Sequence, residues 1–275
     1  MIPSLARATG RLLSFATTAT HGVLRRRVPG PVGCADYLRE EACRIAHCIH
    51  LRTEAEGSPK GAQLIVANHL GYLDVVALAT LGPMAFVSKA EVAAWPLLGS
   101  LARRAGSIFL DRDRRGALVA ATDAMRARVA AGIPVVVFPE GTSSDGSSVL
   151  PFHASLFEIA VREGWRVVPA AIAYELPDGG DPATDVAYWG GMTFLPHFLH
   201  VLSLPRIVAR IRFGSVRVAT GDRKQLARQM HSAVAGLHET LADEELLPPV
   251  HRGGVGTRWT DESRERVDTP GRLPG

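Results

Sequence analysis

The sequence predicts an α/β fold: a single domain with a largely parallel central sheet flanked by helices, a basic N-terminal leader and a disordered C-terminal tail. Three observations carry this. Short apolar runs of strand length alternate with stretches of helical spacing across residues 60–175. The chain has 275 residues, 47% of them hydrophobic and 21% charged, which is enough apolar material for one large packed domain. The polar motifs in that region begin where strands end, which is where open α/β sheets place their sites.

Residues 1–35 form the leader. Leu12 to Leu24 carries no charge but contains Ser14, Thr17, Thr18, Thr20 and His21, and Arg7, Arg11 and Arg25 to Arg27 flank it. No stretch reaches the 18 or so apolar residues of a spanning helix. The segment reads either as an interfacial amphipathic helix with basic flanks or as an ordinary packing helix. Residues 36–56 mix charged and apolar positions and lead into the first strand, Gln63 to Ala67, which ends at Asn68-His69. Asp74 to Leu81 is helical and stops at Gly82-Pro83. Ala85 to Val87 is a second strand, followed by Lys89. Trp95-Pro96 and Gly99 punctuate the next helical piece, and Ser107 to Leu110 is a third strand. The Ala-rich helix Ala117 to Ala131 closes at Gly132. Ile133 to Phe138 is a fourth strand, Leu156 to Arg162 a helix and Val167 to Tyr174 a fifth strand.

Trp189 to Leu204 is apolar with one proline and two histidines. It suits a membrane-dipping or acyl-channel segment as well as a core helix. Ile207 to Phe213 is another strand and Lys224 to Glu245 a helix. The domain extends over residues 36–247, and the Pro-, Gly- and charge-rich stretch 248–275 reads as disordered.

Composition narrows the partners. The formal net charge is +4, and Arg25 to Arg27 and Arg103, Arg104, Arg112, Arg114 and Arg115 form basic groups suited to an anionic surface. Aromatics are 6% and do not interleave with the arginines, so no nucleic-acid partner is expected and acidic lipid headgroups are favoured. Three cysteines make no disulfide framework. The spacing of Cys43, His47, Cys48 and His50 matches no usual zinc ligand pair, so no metal is expected.

Asn68-His69-Leu70-Gly71-Tyr72-Leu73-Asp74 is the segment with the clearest chemistry. Five residues on a continuous helix turn through about 500°, so His69 and Asp74 would not share a face. They meet if His69 lies in the loop after a strand and Asp74 in the first turn of the helix. Asp then fixes the imidazole tautomer and leaves the other nitrogen to take a proton. Phe138-Pro139-Glu140-Gly141-Thr142 places a carboxylate, a permissive glycine and a hydroxyl at the end of a buried strand. Gly106-Ser107-Ile108-Phe109-Leu110-Asp111-Arg112 delivers an arginine to another strand end, where it suits a phosphate or carboxylate.

Taken in order, His69 to Asp74, Gly106 to Arg112, Phe138 to Thr142 and Val168-Pro169-Ala170-Ala171-Ile172 resemble the four blocks of the glycerolipid acyltransferases, a family that includes the 1-acylglycerol-3-phosphate acyltransferases. The resemblance covers about residues 60–215. It implies an O-acyltransferase of membrane lipid biosynthesis, with His69 as general base and Asp74 as its orienting partner. The acceptor hydroxyl of a lysolipid would attack an acyl-coenzyme A or acyl carrier protein thioester. Arg112, Glu140, Gly141 and Thr142 would form the acceptor and headgroup site, with Gly106 in the same block as Arg112, and Lys89 stands where the family often has a lysine. No tightly bound cofactor is implied. Attachment would be peripheral or monotopic, at the cytoplasmic face of a bacterial inner membrane.

Two departures bear on the acceptor. Ser143 stands where an arginine often follows Glu-Gly-Thr, and Gly71 where a serine is frequent. Loss of a phosphate-pairing cation weakens the case for lysophosphatidic acid. The run Gly141 to Gly146, with Leu150-Pro151-Phe152 and Ser155-Leu156-Phe157 behind it, looks more like the branch that acylates lyso-ornithine lipid. Both acceptors stay open at this point. Two other classes compete: a non-catalytic membrane-surface lipid-binding protein, and a thioester or lipid hydrolase. The first would need neither His69 nor Asp74. For the second, the serine-hydrolase elbow Gly-x-Ser-x-Gly fails at Asp145.

Overall fold

The computed structural model describes residues 2–25, 29–95, 98–111 and 116–245. Two helices come first, α1 (Ile2–Leu24) and α2 (Gly30–Cys48), and then strand β1 (Leu51–Glu56). Strand–helix units follow: β2 (Leu64–Ala67) with α3 (Tyr72–Leu81), β3 (Ala85–Lys89) with α4 (Leu98–Arg104), β4 (Ile108–Leu110) with α5 (Ala117–Ala130), and β5 (Val135–Val137) with α6 (Glu158–Glu163). The chain continues through β6 (Arg166–Glu175), α7 (Pro182–Asp185), α8 (Phe194–Ser203), β7 (Ile207–Phe213), β8 (Arg217–Val218) and α9 (Arg223–Glu245).

The strands make one sheet in the order β1–β7–β6–β2–β5–β3–β4, with β8 also on β6. From β6 to β4 every pair is parallel, while β7 and β1, parallel to each other, run against β6. The largely parallel sheet is therefore present, with a reversed pair on one flank. Both faces are covered, as a parallel sheet requires. In β2 the alternation is visible residue by residue: Ile65 and Ala67 join the core shared with α1, α2, α3 and α8, and Leu64 and Val66 join the core shared with α5, α6 and α9. All four are fully buried.

Residues 36–56 hold more structure than a lead-in: most of α2 and the whole of β1. The buried face of α2 includes Glu41 among Tyr37, Ala42 and Ala46, and that carboxylate, paired with Arg44 and Arg25, masks the helical period in the sequence. The α2 helix runs unbroken across the 35/36 boundary expected between leader and domain. In β7, Arg210 pairs with Glu175 and Glu54, and Arg212 with Glu56, so charge is matched across the reversed strands.

Helix α1 packs on α8. Phe15 meets Phe198 with ring centroids 4.6 Å apart, and the buried Arg11 donates to the carbonyls of Leu202, Leu204 and Pro205, capping the end of α8. The outer faces carry exposed leucines: Leu13 and Leu24 on α1, Leu195 on α8. Each helix thus packs on one face and exposes leucines among polar residues on the other. No described helix is long and apolar enough to cross a membrane. The tail expected to be disordered, 248–275, lies outside the described residues.

Candidate active site

Strand β2 ends in a side chain that behaves like backbone. Asn68 donates from Nδ2 to the carbonyl of Ile172 (2.9 Å) and accepts from the amide of Ile172 at Oδ1 (2.8 Å), adding one more rung between β2 and β6. This fixes the exit of the chain and hence the start of His69. At Gly71 φ is 156°, and a Cβ there would lie 3.0 Å from both the amide nitrogen and the Cβ of Tyr188. A serine at this position would be crowded, which accounts for the glycine.

Asp74, in the first turn of α3, is fully buried. Its Oδ2 accepts from the amides of Leu70 (2.7 Å) and Gly71 (3.0 Å) and lies 2.8 Å from Nδ1 of His69. Its Oδ1 accepts the hydroxyl of Tyr174 at 2.7 Å. His69 stacks on Phe138 at the end of β5, centroids 4.2 Å apart and planes 17° apart. The imidazole is held at Nδ1 and by one face, which leaves Nε2 as the nitrogen for chemistry.

His69 lines a cavity of about 220 Å³. Gly141, Thr142, Ser143 and Lys89 share its wall, and Val75, Val87, Trp95 and Leu110 make an apolar part. The loop after β5 is tied to the His69 segment: the Ser144 amide donates to the carbonyl of His69 (2.9 Å). The Ser143 hydroxyl donates to the carbonyl of Tyr188, whose amide donates to Leu70. Gly141, at φ 72°, makes the turn that brings these groups to the cavity. Among the described residues no group of three or more His, Cys, Asp or Glu is placed to hold a metal ion.

Residues 48–173 match the family described as Acyltransferase. A lyso-ornithine lipid O-acyltransferase of Brucella abortus (strain 2308) is 37% identical over 195 residues, covering 66% of this chain and 72% of that one. The chain belongs to the acyltransferase family. A 1-acyl-sn-glycerol-3-phosphate acyltransferase of Neisseria meningitidis serogroup B (strain MC58) is 35% identical over 195 residues, 67% of this chain and 72% of its own. The crystal structure of the 1-acyl-sn-glycerophosphate acyltransferase of Thermotoga maritima superposes with a TM-score of 0.63 over 87% of this chain and 98% of that one. At 20% identity that likeness is one of fold.

Not every residue singled out in the sequence reaches the cavity of this acyltransferase. His69, Lys89, Gly141 and Thr142 do. Gly106 does not: at φ 69° it forms the turn before β4, a Cβ there would meet Cβ of Cys34 at 2.8 Å, and its carbonyl accepts from Arg128. Its glycine is required by the turn and by packing between α2 and α5. Arg112 lies outside the described residues. Glu140 is buried behind the histidine and is absent from the cavity wall; Oε1 accepts the His69 amide (3.3 Å) and Oε2 has no described partner.

Burial pushes the carboxyl of Glu140 up to about 8, aided by the nearby Asp74 and opposed by the amides of His69 and Leu150. Glu140 of the acyltransferase thus holds its proton to higher pH than an exposed carboxyl does. A carboxyl raised in the folded state stabilises fully below its unfolded value of 4.5 and progressively less as pH rises toward 8. E140Q, neutral throughout, should therefore lose less melting temperature between about pH 5 and pH 8.5 than wild type. Equal losses in thermal melts would remove Glu140 from the pH dependence.

Tyr174 and Tyr188 escaped the sequence reading. Tyr174 ends an apolar run in β6, and the signal it offered was a lone hydroxyl in an otherwise buried strand. Tyr188 lines the cavity from a loop 119 positions after His69, and nothing local marks it.

Proposed function

We propose that this enzyme transfers a fatty acyl group from a thioester, acyl-coenzyme A or acyl carrier protein, to a hydroxyl of lyso-ornithine lipid. The observation that carries the reading is His69, oriented by a buried Asp74 at 2.8 Å, in the wall of a cavity with polar and apolar parts. Nε2 takes the proton of the acceptor hydroxyl as its oxygen attacks the thioester carbonyl. The tetrahedral intermediate collapses, the carbon–sulfur bond breaks, and the imidazolium returns the proton to the leaving thiolate. Asp74 keeps the proton of the imidazole on Nδ1 and offsets the charge formed on the ring. The apolar part of the cavity suits an acyl chain, and Lys89, Gly141, Thr142 and Arg112 are assigned to the acceptor headgroup.

Ser143 supports the choice of acceptor. Where a phosphate-pairing arginine is frequent, this chain has a short hydroxyl already engaged by a backbone carbonyl. A headgroup with a carboxylate and an amine needs less cationic charge than a phosphate monoester. The name of the Brucella relative agrees with this choice. The exposed leucines of α1 and α8 support peripheral attachment to a membrane, which we place at its cytoplasmic face.

Product analysis by mass spectrometry tests the reading. The enzyme would receive acyl thioesters with lyso-ornithine lipid in one tube and lysophosphatidic acid in another. Ornithine lipid carrying the second acyl chain is the expected product. Phosphatidic acid as the dominant product would overturn the acceptor. Free fatty acid alone would favour a hydrolase that uses the same His69–Asp74 pair on water.

A further inference from the structure

We infer that Tyr174 is a positioning residue for the reaction: its hydroxyl holds the second oxygen of Asp74 and so sets the orientation and charge that Asp74 presents to His69. This rests on the reading of His69 as general base. The four donors to Asp74 are divided unevenly. Oδ2 takes the Leu70 and Gly71 amides and His69, and Oδ1 takes the Tyr174 hydroxyl at 2.7 Å. The two amides fix one oxygen, and the tyrosine fixes the other, so the carboxylate cannot rotate about Cβ–Cγ without breaking a bond in a fully buried site.

The placement follows from the register. Strands β2 and β6 are parallel with Ala67 opposite Ala170, and Asn68 extends that pairing to Ile172. Ala170, Ile172 and Tyr174 share one face of β6 by the two-residue period, the face on which α3 packs. Tyr174 therefore stands one step beyond the Asn68 rung, beneath the first turn of α3 where Asp74 sits. Burial and the adjacent Asp74 raise the phenol far above its ordinary range, so the hydroxyl stays protonated and donates. Other titratable groups facing the pair are Glu140, from the loop after β5, and Tyr72, from α3.

Without the hydroxyl, Asp74 keeps its charge in an unsatisfied oxygen. It then either binds a proton more readily or draws harder on the imidazolium. In both cases the deprotonated, oriented His69 needed for catalysis is reached at higher pH. Phenylalanine retains the ring packing, so Y174F isolates the hydroxyl. The expected result is kcat lower by about 10- to 100-fold with acceptor and donor KM within about twofold. The acid limb of the pH–rate profile moves to higher pH. In a D74N background the same change costs less than about threefold, because the carboxylate charge that the hydroxyl sets is gone.

An acid limb that stays in place, or an undiminished cost in the D74N background, would overturn the proposal. A readout independent of activity separates it from the proposed reaction. The Nδ1 proton resonance of His69 in NMR should shift in Y174F and vanish in D74A. If wild type transfers no acyl group, the reaction is wrong, and the resonance alone decides Tyr174. An unshifted resonance would sink its coupling to His69.

Discussion

H69A is expected to lose about 10²- to 10⁴-fold in kcat, the usual worth of a positioned general base. The change removes the nitrogen that takes the acceptor proton, while Asn68 continues to hold the strand end through Ile172 and Asp74 keeps the Leu70 and Gly71 amides. The variant should therefore stay folded, with a circular dichroism spectrum like that of wild type. Donor binding should persist, because the apolar wall of Val75, Val87, Trp95 and Leu110 does not depend on the imidazole. Steady-state rates against a direct binding measurement check this. Near-full activity in H69A would remove the residue from the mechanism.

D74N is expected to cost about 10³- to 10⁴-fold in turnover, by analogy with the aspartate of serine-protease triads. Asn has one acceptor oxygen where Asp74 offers two. If the amide nitrogen faces Tyr174, the histidine keeps a neutral acceptor and loses the negative charge that stabilises its imidazolium. If the nitrogen faces the other way, it opposes the Leu70 and Gly71 amides and loosens the first turn of α3. Turnover falls in either arrangement, and the donor KM should stay within about threefold. Unchanged turnover would sink the orienting role of Asp74. A large rise in donor KM would point instead to a collapsed loop.

The difference between the two variants lies in what each leaves behind. H69A leaves a buried carboxylate with three of its four donors. D74N leaves an imidazole whose tautomer is no longer set by charge. Comparing their acid limbs therefore separates loss of the base from loss of its orientation.

Much of the fold was legible because buried parallel strands are short, apolar and separated by helices. The runs at Leu64–Ala67, Val135–Val137 and Arg166–Glu175 needed no partner to be recognised. Helix α2 was not legible, since its buried face carries Glu41, whose cost is offset by Arg44 one turn on and by Arg25, which only the fold brings near. The orientation of β7 was equally hidden. An apolar run marks a strand, but its direction follows from the neighbours it pairs with.

The site divides the same way. Sequence alone determined the α/β class, the strand-end position of His69 and the arrangement of loop and first helical turn that lets Asp74 reach it, because these depend on local period and on spacing of a few residues. It also marked Gly141 and Thr142, which follow a strand end directly. Tertiary structure decided the rest. It set Glu140 behind the histidine instead of in the cavity, made Gly106 a packing glycine, tied Ser143 to Tyr188, and placed the hydroxyl of Tyr174 on Asp74. Each of those contacts joins residues that are brought together only when strands and helices pack. The residue types name the groups, and the packing chooses which of them can touch.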